Sequence, residues 1–257
     1  IISYTRTSRI RGLDPAISGE VSSSLAISRI YEGLLQYDYL HRPYKVVPLL
    51  ADEMPTISND GLTYTFKIRK GIFFQDDECF KDGIGRELIA EDFVYSIKRV
   101  ADVKNNSSGY WAFNGRIIGL DLFRELSESS KSTDYSITVD GLKALDKYTL
   151  QIKLTSPYPQ LLYILTMHYA FAVPFEAIDY YGKSFVNNPV GTGPHILGSW
   201  KRNSRIEFIR NPKWRESKRS DFYPEFGTED QKDRGLLSDA GKKIQLGGRV
   251  LRTYYLF

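Results

Sequence analysis

Apolar residues recur along this chain at two spacings. After Asn59-Asp60-Gly61, a strong turn signal, Leu62, Tyr64, Phe66 and Ile68 alternate with Thr63, Thr65 and Lys67, which predicts a half-buried antiparallel strand. Tyr148, Leu150, Ile152 and Leu154 alternate with Thr149, Gln151 and Lys153 in the same way. Between these strands, Phe93, Val94, Ile97 and Val100 share one face of a helix predicted over 90–100. Glu91, Asp92, Lys98 and Arg99 are expected on its outer face, with the helix packed on the sheet.

Val21, Leu25, Ala26, Ile30 and Leu34 also have helical spacing. They predict a helix over 21–35 that ends near Tyr37-Asp38, with a run of serines able to cap it. Pro159 suits the first turn of a helix through Leu161, Leu162 and Leu165, and Pro174 starts another that Gly182 can terminate.

The run NPVGTGPHILGSW, Asn188 to Trp200, predicts a rigid bend followed by a strand. Asn188 and Gly193 each precede a proline and are pushed towards extended geometry, while Gly191 and Gly193 supply permissive φ. Ile206 and Phe208 then alternate with charged residues until Asn211-Pro212, so the two strands read as a hairpin. Loops are expected at 105–109 and, with weak order, at 125–136. From Lys213 to Gly248 the pattern dissolves into charge and glycine, with 217–235 the least ordered part, and 250–257 reads as a strand that is cut off.

Composition narrows the function classes. With 257 residues, 42% hydrophobic, the chain can bury a large core in one or two domains. Its 18 tyrosines suit either a broad contact surface or half-buried strand positions. The net charge is +4, but 35 Lys and Arg are scattered among 31 acids without a continuous stripe, which gives nucleic-acid binding no support. The densest basic cluster, Lys201 to Arg205 with Lys213, Arg215, Lys218 and Arg219, reads as a solvated edge. No run of 18 apolar residues offers a membrane span. Ile1 is not an initiator Met and no basic-then-apolar leader is present, so a signal segment is expected to have been removed or left out.

No candidate chemistry meets its mechanical requirement. Gly182-Lys183-Ser184 echoes a phosphate loop, but Ala177 stands where the first glycine is needed. Gly191 and Gly193 begin a dinucleotide fingerprint that Ile196 breaks. Asp76, Asp77, Glu78 and Asp82 could hold a cation by charge, yet a calcium loop read from Asp76 meets Phe80 and Lys81 at positions that need an oxygen ligand and a glycine. Cys79 is the single cysteine, which excludes an internal disulfide, and one thiol with His41, His168 and His195 widely spaced builds no zinc site. No G-x-S-x-G elbow exists. The residues by themselves assign no catalytic residue, no metal site and no cofactor.

IYEGLL (30–35), VVPLLADE (46–53), NDGLTYTFKIRKGIFF (59–74), AEDFVYSIKRVAD (90–102), ALDKYTLQIKL (144–154), NPVGTGP (188–194) and RNPKW (210–214) occur in an order and spacing that resembles the extracellular solute-binding proteins of family 5, the oligopeptide- and dipeptide-binding receptors of ABC importers. The resemblance runs from Leu13 to about Trp214. It implies an α/β fold of the periplasmic-binding-protein type II, with a mixed sheet and an inserted α/β subdomain. It also implies that the chain is a fragment of a two-lobe protein: 1–45 and 172–257 would form most of the first lobe, 46–171 the insertion, and the second lobe would be absent.

The expected function is capture of peptides between two lobes and delivery to a membrane permease, as a monomer, in the periplasm or at the cell surface, where a lipid anchor would hold it. The alternative is the same scaffold binding a metal chelate, a sugar or another small solute; an enzyme or a regulatory interaction protein ranks lower. By resemblance, Gly19, Glu20, Val21 and Ser22 offer backbone groups to an extended peptide. The family's acidic position falls at Gly19, which puts a salt bridge from there to the ligand in doubt. Tyr110 and Trp111 form an aromatic platform, and His168 and Tyr169 precede a segment that reaches the cleft. Ile89 stands where a capping Thr is usual, a loss of about 1 kcal/mol.

Overall fold

The computed structural model describes residues 9–38, 41 and 43–215. The strand expected at 250–257, the stretch 217–235 read as least ordered and the basic pair Lys218 and Arg219 lie outside them. Among the described residues every strand pair is antiparallel.

The central layer is a four-stranded sheet in the order β3-β4-β6-β5, built from β3 (Thr56–Ile57), β4 (Thr63–Lys67), β5 (Leu142–Asp146) and β6 (Thr149–Lys153). Tyr64 sits opposite Ile152 and Phe66 opposite Leu150, so the two alternating runs meet on one buried face. Gly61, at φ +71°, makes the turn into β4. Helix α2 (Ala90–Ala101) covers the sheet with Phe93, Val94, Ile97 and Val100, all buried, and packs on β5 and β6. Ile89 gives α2 no side-chain cap, but the Asp92 carboxylate accepts the Ile89 N–H at 2.9 Å and closes that end.

Three of the four charged residues expected on the outer face of α2 fail that reading for one reason: both faces of a helix can meet protein. Asp92, Lys98 and Arg99 are buried, not solvated. Asp92 takes both guanidinium nitrogens of Arg86 at 2.9 and 2.7 Å, Arg99 pairs with Asp14, and the Lys98 ammonium donates to the Tyr135 carbonyl at 3.0 Å. The polar stretch 125–136 is not uniformly loose, because its first half completes helix α3 (Leu120–Ser129), anchored by buried Leu120, Phe123 and Ser127.

Helix α1 (Val21–Ile30) stops well short of the predicted end. Tyr31 turns extended, Leu34 offers its carbonyl to Leu49 and Ala51, and β1 (Leu35–Tyr37) pairs with β2 (Val46–Pro48). The helical period of Leu34 was an accident of an apolar strand following an apolar helix. Ser22 to Ser24 lie inside α1 and its N-cap is Glu20, which makes no side-chain cap bond.

Two short helices, α4 (Leu161–Ile164) and α5 (Phe175–Tyr181), follow β6, and Gly182 ends α5 at φ +51°. The bend then docks on the end of α1. Gly193 donates to the Ile30 carbonyl at 2.7 Å, Val190 N–H to the Tyr31 hydroxyl at 3.1 Å, and Gln75 spans the Pro189 and Gly191 carbonyls. Gly191 and Gly193 are not at positive φ, so their role is closeness: a Cβ would stand 2.2 and 2.6 Å from the Ile30 oxygen. The hairpin of β7 (His195–Lys201) and β8 (Arg205–Arg210) follows as predicted. Lys201 to Arg205 are exposed at its tip. Arg215 departs from the solvated edge, gripping buried Glu32 through two bonds of 2.7 and 2.9 Å.

Candidate functional site

Three distant segments converge on the start of α1. The first is 14–24. Asp14 is held by Arg99, the Ala16 carbonyl accepts the Ser107 hydroxyl, and Ala16 N–H closes on the Asp14 carboxylate at 3.0 Å. The second is the loop 107–109, where Gly109 N–H meets the Ser107 hydroxyl at 3.1 Å. The third is a short 3-10 turn, His168–Ala170.

Close approach shows how tightly they meet. A Cβ on Gly19 would stand 2.4 Å from the Ser108 hydroxyl, and one on Gly109 would stand 2.2 Å from the Tyr169 ring. The Tyr169 hydroxyl lies 3.1 Å from the Ser108 hydroxyl. His168 is buried, with Nε2 2.6 Å from the Ser18 carbonyl and Nδ1 3.1 Å from the Ser24 hydroxyl. Burial lowers the His168 pKa, which keeps the ring neutral near pH 7. The result is a ledge at 18–22 resting on a floor of Ser108, Gly109, His168 and Tyr169.

The eight residues singled out from sequence therefore divide. Gly19, Ser22, His168 and Tyr169 lie in or under the ledge; Ser22 is buried. Val21 is 73% exposed at its lip, and Glu20 pairs with the exposed Arg11 at 3.0 Å. Trp111, 59% exposed, follows the loop that touches Gly19, in the 3-10 turn Tyr110–Ala112. Tyr110, in the same turn, is engaged towards α3: its hydroxyl donates to Asp121 and the Arg124 guanidinium sits 4.2 Å over its ring. Burial, together with that bond to a carboxylate, pushes the Tyr110 phenol well above its ordinary range.

A shallow recess of about 640 Å³ lies elsewhere, by β4 and β6, lined in part by Lys67, Arg69, Lys70 and Tyr148. None of the ledge residues lines it, and two of its cations are engaged, Lys67 with Thr149 and Arg69 with the Ala51 carbonyl. Three of the four acids of the acidic cluster are engaged too: Asp76 with Lys213, Asp77 with Cys79 N–H and the Tyr181 hydroxyl, Glu78 with the Tyr180 hydroxyl. No group of three metal-ligating side chains occurs among the described residues.

The family model described as bacterial extracellular solute-binding proteins, family 5 (Middle), matches residues 45–233. The chain belongs to this family. The oligopeptide-binding protein AmiA of Streptococcus pneumoniae is 33% identical over 82% of the chain, and the periplasmic oligopeptide-binding protein OppA of Escherichia coli 32% identical over 82%. A solved oligopeptide-binding protein of Borrelia burgdorferi superposes with a TM-score of 0.69 at 29% identity, over 82% of this chain and 39% of that one. The chain spans 30% and 36% of the lengths of AmiA and OppA. As a family 5 solute-binding protein it has the type II α/β fold, and among its described residues no helix is long and apolar enough to cross a membrane.

Sequence reasoning missed Ser18, Ser24, Ser108 and Gly109. The run NNSSG marked the loop of the last two, but nothing local in this family 5 chain pairs it with a helix start more than 80 residues earlier.

Proposed function

We propose that this chain supplies the peptide-holding lobe of a receptor that captures peptides outside the cytoplasm and hands them to the membrane permease of an ABC importer. The observation that carries this is the ledge: backbone at 18–22, braced from below and lipped by exposed Val21, is suited to accept an extended chain as a strand edge would. Support comes from relatives whose names are those of oligopeptide-binding proteins. Residues 1–45 and 172–257 form the first lobe in this reading and 46–171 an inserted subdomain. A second lobe, beyond this chain, closes over the ligand and clamps its ends. Gly19, Glu20 and Val21 give backbone contacts and Trp111 a ring surface, while Ser22 is buried. The receptor works as a monomer, without covalent change to its ligand, and a lipid anchor keeps it at the membrane face.

The test is calorimetry of the full-length receptor against random short peptides, then of this chain alone. Heat from the receptor and none from the chain supports a peptide site that needs both lobes. No heat from a folded receptor removes peptides and leaves chelates, sugars or other small solutes as the ligand.

A further inference from the structure

His168 and Tyr169 occupy the floor of the ledge, and each makes polar contact with it or with the loop beside it. A carbonyl oxygen only accepts, so the 2.6 Å contact with Ser18 requires the proton on His168 Nε2. Its Nδ1 is then an acceptor, which fits the Ser24 hydroxyl at 3.1 Å. Both ring nitrogens are spoken for, and the two contacts straddle the corner where the chain enters α1. The next residue secures the other side. Tyr169 reaches the Ser108 hydroxyl at 3.1 Å while its ring packs against Gly109, and its centroid is 4.0 Å from that of His168. Each of the two residues is only 6% exposed.

We infer that His168 and Tyr169 are positioning residues, which fasten the 18–22 ledge and the 107–109 loop in their ligand-ready shape and do not touch the ligand. This rests on the peptide reading given above. One 3-10 turn thereby locks two segments that lie 150 and 61 residues away in sequence. A ledge fixed in advance loses less conformational freedom when a ligand arrives, so the clamp acts through affinity for every ligand alike.

The test uses the full-length receptor with three probes: tri-alanine, tri-lysine and tri-glutamate. His168→Leu is expected to weaken all three by about tenfold, the usual consequence of a lost buried hydrogen bond. Amide exchange at 19–22 should quicken in the unliganded variant while β4 and β6 keep their protection, which a general loss of stability would not produce. His168→Gln, whose amide can donate to the Ser18 carbonyl, should return affinity to within about threefold of wild type. A loss confined to one peptide, or unchanged affinity and exchange, overturns the inference. If His168→Leu does not fold, Tyr169→Phe serves: it removes only the bond to Ser108 and should speed exchange at 107–109, and no change there overturns the clamp. If the wild type binds none of the peptides, the peptide reading falls alone, and the exchange comparison still decides the clamp.

Discussion

Arg99, on the third turn of α2, grips both carboxylate oxygens of Asp14 at 3.0 and 2.8 Å, with each side chain only 5% exposed. Burial alone would lower the Arg99 pKa, but the Asp14 charge and its hydrogen bonds outweigh that and raise it. The pair ties the segment that leads into the ledge to the helix that covers the central sheet. Because removal of one partner strands the other in a dry site, Arg99→Met should cost about 3–5 kcal/mol. Urea unfolding measures this, and the double variant Asp14→Leu with Arg99→Met should lose less than the sum of the single losses.

Gly191 is a second test of geometry. Its missing Cβ would meet a backbone oxygen at 2.2 Å, which no rotamer change relieves. Gly191→Ala should destabilise by about 1–3 kcal/mol and detach the bend from the end of α1. Gly71, at φ +73° with open space around it, makes a useful contrast: Gly71→Ala should cost about 1 kcal/mol from backbone strain alone. Equal losses would show that closeness to Ile30 is not what requires a glycine at 191.

Acid should weaken the fold through its buried imidazoles. Burial, then the charge of Arg29, lowers the His195 pKa from 6.5 to about 4. A folded pKa below the unfolded one means that the unfolded chain binds the proton first, so stability is full above pH 6.5 and falls as pH drops towards about 4. His168, also lowered by burial, acts with the same sign. Thermal unfolding should therefore show a lower Tm at pH 5 than at pH 7.5, and His195→Gln should shrink the difference.

Tyr110 and Trp111 are neighbours that should separate in experiment. Trp111→Ala removes an exposed ring, so Tm should stay within the small range of surface changes while peptide affinity of the full-length receptor falls by about tenfold. Tyr110→Phe breaks the bond to Asp121, and should lower stability by about 1 kcal/mol with little effect on affinity. Calorimetry and thermal unfolding on both variants check the split; the reverse pattern would move the ligand surface to Tyr110.

Local pattern carried the elements whose residues answer to one surface. β4, β6 and the hairpin β7–β8 were legible because alternation along a strand needs only a single buried face. The span of α2 was legible for the same reason, its charge pattern was not: Asp92, Lys98 and Arg99 are buried by Arg86, Tyr135 and Asp14, none of which is within five residues of its partner. The end of α1 was misread because Leu34 keeps the helical period while its carbonyl is claimed by Leu49 and Ala51.

By itself, the sequence determined the α/β elements, the rigid bend at 188–194 and, through seven motifs in register, the family; each is a matter of near neighbours or of order along the chain. Only the tertiary structure decided that Gly191 serves close approach, that Tyr110 turns to Asp121, and that His168 and Tyr169 join Ser18, Ser24 and Ser108. Apart from the Tyr110–Asp121 bond, which spans 11 residues, those facts depend on which segments pack together across more than 60 residues of chain, and hydrogen-bond partners at such range leave no period in the sequence to read.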